Sequence, residues 1–325
     1  MSGHVVALCG GVGGAKLAFG LAQALPPEAL SIVVNTGDDF VHLGLHVSPD
    51  IDTVAYTLAG LADRERGWGL AGETWNFMAS FRRLGGEDWF QLGDRDLAMH
   101  VERTRRLAAG ESLSQVTAAL AQALGIRHPV LPMSDQPVRT IVQTAEGELA
   151  FQRYFVGAQC RPVATGVRFE GAAAAAPSPA FAATLARGDL AAVIVCPSNP
   201  YLSVDPILAV PGVRSALEGL DAPIVAVSPI IGGRALKGPA AKLMAELGVT
   251  PGVAAVAEHY RGLLDGLVID AADAGEAQAL RKAGVEPLVA EAVMVSDDDR
   301  LRLARETLAF AAQLAAAPAD RRRAS

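Results

Sequence analysis

The opening stretch of the chain constrains the fold more than any other. The apolar run HVVAL (4–8) leads into CGGVGGAKLAFGL (9–21), then Pro26-Pro27, then a second apolar run, SIVVN (31–35). A continuous apolar run closed by glycine suits a strand covered on both faces. Leu17, Leu21, Ala24 and Leu25 recur at helical spacing, and the two prolines stop that segment. Strand, helix and strand within about 35 residues form a right-handed βαβ unit on a parallel sheet. The expected fold class is α/β: a Rossmann-like, mostly parallel sheet in a three-layer sandwich.

Further along, the pattern changes twice. Residues 52–128 read as mostly helical, with DTVAYTLAGL, TWNFMASFRRL, DLAMHVERTRRLAAG and SLSQVTAALAQALG separated by glycine-bearing turns. This predicts a helical insertion. Residues 130–170 read as alternating strands, RTIVQTAEGELAFQRYFVG, turning at EGEL. The alanine-rich tract EGAAAAAPSPAFAAT is a loop entering a helix. Two more buried strands, LAAVIVCPSNP and APIVAVSPIIGG, each end in a polar, proline-bearing loop, and GPAAKLMAELG is a helix beside them. The basic tail ADRRRAS reads as a solvated end. One α/β domain over residues 1–325 is expected, because 325 residues with 51% hydrophobic content bury a large core.

Composition removes several function classes. The net charge of −7 is spread out, with no basic stripe or aromatic platform, which disfavours nucleic acid as a partner. Cys9, Cys160 and Cys196 lie far apart and form neither a disulfide framework nor a zinc spacing, so a reducing cytoplasm is expected. No charged segment followed by a cleavable apolar stretch opens the sequence, and no run of about 20 apolar residues occurs, so membrane spanning is not expected.

The glycine loop fits neither common nucleotide motif. A P-loop needs Gly before Lys and Ser or Thr after it, whereas Ala15 and Leu17 flank Lys16. A dinucleotide fingerprint needs a third glycine where Lys16 stands, and an acid at the end of the second strand where Asn35 stands. What survives is the physics of glycine and of a helix N-terminus: close backbone approach, and N–H groups that favour anions. The plain alternative is a tight strand-to-helix turn.

Four aspartates follow the second strand in NTGDDFVHLGLHVSPDID: Asp38, Asp39, Asp50 and Asp52. Ligands bind beyond the carboxyl ends of parallel strands, so these acids are expected to share a crevice with the glycine loop. A diphosphate there needs a counter-ion, and carboxylate oxygens without thiolates point to Mg²⁺. The alternative makes Asp38 and Asp39 turn residues and Asp50 or Asp52 a helix cap. His42 and His46 read as surface or packing residues. The loops at Pro197–Pro200 and Ser228–Gly233 end strands on the same side, which makes a shared ligand site.

Taken in order, GGVGGAK, NTGDDF, SPDIDTVAYTL, RGWGLAGETWNFM, LGDRDLAMH, SNPYLSVDPILAVPG and SPIIGGRALKGPA resemble the 2-phospho-L-lactate transferase family of coenzyme F-420 biosynthesis. The resemblance runs from about residue 5 to 265. It implies transfer of a phosphate-linked small acid from a guanosine diphosphate conjugate to the ribityl hydroxyl of the deazaflavin Fo, with GMP released, Mg²⁺ as the metal and a homodimer as the assembly. On matching positions it implies that Asp39 and Asp50 hold the metal with Asp38 beside them. Gly11, Gly13, Gly14 and Lys16 would face the donor phosphates. Ser198, Asn199 and the loop of Ser228, Pro229, Ile230 and Gly232 would enclose the guanosine side. Trp75, Asp94, Arg95, Asp96 and His100 would line the deazaflavin pocket, with the 52–128 insertion contributing to it. Asp38 or Asp50 is the candidate general base, a role that the chemistry does not strictly require. Plainer readings stand beside these: Trp75 in the core with Met78, Asp94 as a cap of the helix near Asp96, Arg95 paired with a surface acid, and His100 in packing.

Three rivals differ in class. A nucleotide-sugar-binding regulatory branch shares the glycine loop but is expected to lack PDIDT and GDRD. A nicotinamide dehydrogenase lacks support for the reasons above. A non-catalytic scaffold would show no Mg²⁺-aided association with Fo and GDP.

Overall fold

The computed structural model describes residues 3–236 and 238–316; the tail ADRRRAS lies outside the described residues. Its centre is a sheet of seven strands: β1 (His4–Cys9), β2 (Leu30–Val34), β3 (Val130–Pro132), β4 (Leu190–Val195), β5 (Ile224–Val227), β6 (Gly266–Asp270) and β7 (Glu286–Ala290). Their order is β7-β6-β5-β4-β1-β2-β3, and every neighbouring pair is parallel. The chain winds outward from β1 to β2 and β3, then crosses to the other side of β1 and continues through β4 to β7. The direction of winding therefore reverses between β1 and β4, where Leu8 pairs with Val195. Loops leaving these two strands diverge, and the crevice they leave is where such sheets bind ligands.

Helix α1 (Gly11–Ala24), α2 (Pro49–Leu58) and the last helix, α6 (Asp297–Ala316), cover one face with Leu17, Leu21, Val54, Leu303 and Leu308. The opposite face is closed by Phe181, Ile207, Val213, Leu217, Met244 and Val256 on shorter helices. Gly20 lets α1 and α6 meet closely, since a Cβ there would strike the Arg300 carbonyl. The three-layer α/β expectation is met.

Between β2 and β3 come α2, α3 (Asn76–Arg83), α4 (Asp94–Ala108) and α5 (Leu113–Ala123), the helical region expected from residue 52. It begins earlier, at Pro49, because Ser48-Pro49 sets the first helical turn. Residues 130–170 divide differently from the expectation. Val130–Pro132 joins the main sheet, while Arg139–Thr144, Gly147–Ala150 and Ala164–Glu170 make a separate antiparallel sheet. Arg153–Gly157 is a wide helical turn rather than a strand. The reason is spacing: Phe151 and Tyr154, three apart, both bury against Leu202 and Leu243. Two strands of the main sheet, β6 and β7, had no clear sequence signal: GLVID has only three apolar residues between glycine and aspartate, and EPLVA opens on glutamate and proline.

Candidate active site

The first turn of α1 lies at the β1/β4 reversal. Gly10 is its cap; its N–H donates to Ser198 Oγ at 3.0 Å, and that hydroxyl donates back to the Gly10 carbonyl at 2.8 Å. Gly11, at φ +64, donates its N–H to Asp50 Oδ1 at 2.7 Å. The anion at the helix N-terminus is thus the carboxylate of Asp50, where the macrodipole favours it. The Val12 and Gly13 amides are left as first-turn donors with no carbonyl one turn earlier to receive them.

The glycines have separate steric reasons. A Cβ on Gly10 would collide with the Asp50 carboxylate and come within 2.8 Å of Ser203 Cβ. On Gly13 and Gly14 it would collide with the Pro197 carbonyl and the Ser198 hydroxyl. Gly13 and Gly14 therefore let the 197–198 loop lie against the helix, and open space surrounds only Gly11 among the three. The plain alternative, a tight strand-to-helix turn, fits this packing, and the anion that the Gly11 amide meets is the protein's own Asp50.

Asn35, at the end of β2, ties Asp38 and Asp50 together. Its Nδ2 donates to Asp38 Oδ1, to Asp50 Oδ2 at 2.9 Å and to the Leu202 carbonyl at 3.3 Å, while its Oδ1 accepts from the Gly37 N–H at 2.7 Å. Two amide hydrogens thus serve three acceptors. Sequence reasoning looked here for a ribose-binding acid and passed over the asparagine; its place at a strand end, before a Gly-Asp-Asp turn, was the available signal.

Asp39 accepts from Ser48 Oγ at 2.8 Å and pairs with His46 Nε2 at 3.1 Å, and its buried Oδ1 has no partner. Burial lifts the Asp38 carboxyl well above the usual range, helped by the charges of Asp50 and Asp39. Burial likewise pushes Asp50 up to about 6, against the hydrogen bonds from Asn35 and Gly11. Three buried acids close enough to feel one another's charge repel when ionised, so the site favours a cation. The donor set suits Mg²⁺: hard oxygens, one of them orphaned. Among the described residues no three His, Cys, Asp or Glu side chains are grouped to hold a metal by themselves. Mg²⁺ commonly takes one or two carboxylates and completes its shell with phosphates and water.

Asp52 stands apart from this cluster. It is bound through both oxygens by Arg103, which is 1% exposed. His100 Nδ1 lies 3.7 Å from Asp52, His100 Nε2 lies 3.3 Å from Asp96, and Asp96 accepts from Tyr56 OH at 2.5 Å. Burial raises the Asp52 carboxyl even with Arg103 beside it. For Asp96, burial is outweighed by His100, Tyr56 and Arg103, and its carboxyl sits below the ordinary value. Asp96 and His100, expected in the deazaflavin pocket, are instead held in a buried ionic network that joins α4 to α2.

The remaining expected residues scatter. Lys16 Nζ donates to the Met294 carbonyl at 2.7 Å and borders a cleft of about 80 Å³ with Arg64, Trp68 and Arg300. Trp75 is not a core residue: it is half-buried, edge-on to Trp68 at 6.0 Å, with the Arg66 guanidinium 4.9 Å from its ring. Asp94 caps α3 rather than its own helix, accepting from Thr74 Oγ1, the Asn76 and Phe77 N–H groups and Asn76 Nδ2. Those bonds, Thr74 first, hold its carboxyl down at about 2. Arg95 donates to the Ala71 carbonyl at 2.7 Å, not to an acid. The Asn199 side chain receives the Tyr201 and Leu202 N–H groups, and its buried Nδ2 lacks a partner. Ser228 closes its turn on Ile230 past Pro229, and Gly232, at φ +55, donates its N–H to Asp273. The loops of Ser198 and Ser228 leave β4 and β5 on the side of the acid cluster, as expected.

Known proteins agree with this architecture. A crystal structure of a UPF0052 family member from Bacillus halodurans superposes with a TM-score of 0.62, over 95% of this chain and 99% of its own, at 14% identity, a likeness of fold. A phosphoenolpyruvate transferase of Kitasatospora aureofaciens is 41% identical over 318 residues, spanning 96% of this chain and 98% of its own. A 2-phospho-L-lactate transferase of Methanosarcina mazei is 37% identical over 300 residues, spanning 92% and 98%. A similar enzyme of Methanopyrus kandleri, bearing the same name, is 38% identical over 319 residues, spanning 97% and 99%. The family model described as 2-phospho-L-lactate transferase CofD matches residues 5–309. The chain is therefore a transferase, and it belongs to the 2-phospho-L-lactate transferase CofD family.

Proposed function

We propose that this enzyme moves a phospho-acid group, lactyl, enolpyruvyl or glyceryl, from a guanosine diphosphate conjugate to the ribityl hydroxyl of Fo in coenzyme F-420 biosynthesis. The observation that carries the reading is the pair Asp38 and Asp50, tied by Asn35 beneath the first turn of α1, with buried Asp39 beside them. Such a site joins a cation's place to helix amides, the pairing a diphosphate needs.

In this reading the ribityl oxygen attacks the phosphorus that bears the acid. The bond from that phosphorus to the oxygen bridging to GMP breaks, and GMP departs with the bond's electron pair. Asp39 and Asp50 would hold Mg²⁺, which supplies charge neutralisation of the diphosphate. The Val12 and Gly13 amides are donors for its oxygens. Asp38 takes the hydroxyl proton: its Oδ2 meets only Gln152, at 3.4 Å, whereas both Asp50 oxygens hold close hydrogen bonds, at 2.7 Å from Gly11 and 2.9 Å from Asn35. Positioning and electrostatics supply most of the rate.

Mass spectrometry of the deazaflavin after incubation with each of the three guanylylated donors tests the reading and names the acid. A product heavier than Fo by one phospho-acid unit, with GMP formed alongside, is expected. Unchanged Fo with all three donors would refute it.

A further inference from the structure

We propose that His46 is a positioning residue for the cation: together with Ser48 it holds one oxygen of Asp39, so that the other oxygen is presented to the metal. The inference rests on the reading above, in which Asp39 and Asp50 hold Mg²⁺, and concerns how this chain presents one of those ligands.

After Asp39 the chain runs out and back as a short ribbon, Phe40–His42 paired with Leu45–Val47, turning through Leu43 at φ 53 and Gly44 at φ 77. The return brings His46 and Ser48 to Asp39 from seven and nine positions along the chain. Both meet the same oxygen. Asp39 Oδ2 accepts from Ser48 Oγ at 2.8 Å and from His46 Nε2 at 3.1 Å, while Oδ1 is buried without a partner. The Asp39 side chain is 1% exposed, so bulk water does not serve that second oxygen. A buried polar atom of this kind calls for an explanation. An ionised carboxylate only accepts, and a cation is the partner that a cluster of acids leaves room for.

The two holders are themselves arranged for the task. Ser48 stands at the N-cap of α2, where a serine hydroxyl ordinarily accepts a first-turn N–H, yet its side chain makes no capping bond and turns to Asp39 instead. His46 is fixed by α4 at both ends of its backbone unit. Its N–H donates to Thr104 Oγ1 at 2.7 Å, and its carbonyl accepts from Arg103 at 3.4 Å. The Thr104 hydroxyl donates in turn to the His100 carbonyl at 2.7 Å. Thus α4 acts on Asp39 through His46. Outer hydrogen bonds of this kind orient a metal's ligand, and losing one commonly lowers metal affinity about 10- to 100-fold.

Calorimetric titration of the full chain with Mn²⁺, with GDP present and absent, tests the role beside a metal-free titration with GDP. His46→Leu removes the donor at a side chain that is 19% exposed, His46→Gln keeps an amide that can reach the same oxygen, and Thr104→Val removes the hydroxyl that fixes the His46 N–H. His46→Leu is expected to weaken Mn²⁺ binding about 10- to 100-fold, His46→Gln to regain most of that, and Thr104→Val to weaken it about threefold or more. Metal-free GDP affinity should stay within about twofold throughout. A merely structural role would lower the melting temperature of the metal-free protein and leave Mn²⁺ affinity as in the unaltered chain; that result would overturn the proposal and leave the cation reading intact. Failure of the unaltered chain to bind Mn²⁺ even with GDP would overturn both. Should His46→Leu not fold, Thr104→Val decides alone.

Discussion

Replacing Arg103 by Met tests whether the buried network behind the site acts as a unit. The guanidinium is 1% exposed and binds both oxygens of Asp52, itself 5% exposed, on the helix that carries Asp50. Methionine fills much of the volume but leaves a buried carboxylate without its cation, which costs about 3–5 kcal/mol. That is a large share of the stability of an ordinary domain. The sign with pH follows from linkage. Burial already raises Asp52 above 3.8 with Arg103 present, and losing Arg103 raises it further. The folded variant therefore binds more protons than the unfolded chain above about pH 4, so its stability falls as pH rises through that window. The penalty is small near pH 4 and full near pH 8. Urea unfolding of Arg103→Met, Asp52→Asn and the double variant at both pH values measures this. The double variant should recover most of the loss, because no unpaired charge remains. Additive losses, or a single-variant loss under about 1 kcal/mol at high pH, would refute the argument.

Other expectations follow from the site. Gly10→Ala, whose methyl would collide with Asp50 and Ser203, should abolish product formation while the far-ultraviolet circular dichroism stays that of the parent. Ser198→Ala leaves the buried Gly10 N–H without its acceptor and should cost about 1–3 kcal/mol in urea unfolding. Without Mg²⁺, Asp50 at about 6 and the raised Asp38 make the folded chain bind more protons than the unfolded one, so stability falls as pH rises from about 4 through 6. Added Mg²⁺ should therefore raise the melting temperature more at pH 8 than at pH 5, as scanning calorimetry would show, and Asp39→Asn should remove most of that gain.

Much of the fold was legible from local pattern. The apolar runs at 4–8 and 31–35 and the helical repeat between them force a parallel βαβ unit, because each periodicity leaves only one face or two to bury. The crowding of glycines and aspartates at strand ends likewise marked the crevice. The strand Gly266–Asp270 escaped, since glycine at its start and aspartate at its end leave only three consecutive apolar residues. Side-chain roles were less legible. GDRD looks alike whether its acids line a pocket or brace helices; only the packing of α4 against α2 decides that Asp96 and His100 face Tyr56 and Asp52.

The sequence by itself determined the α/β architecture, the glycine turn and the acidic segment after β2, because those depend on residues close in the chain. Tertiary structure alone decided which acid meets the α1 amides, which one Arg103 neutralises, and that Gln152 reaches Asp38. Those outcomes depend on contacts between residues 39 to 114 positions apart, which only the closed sheet brings together.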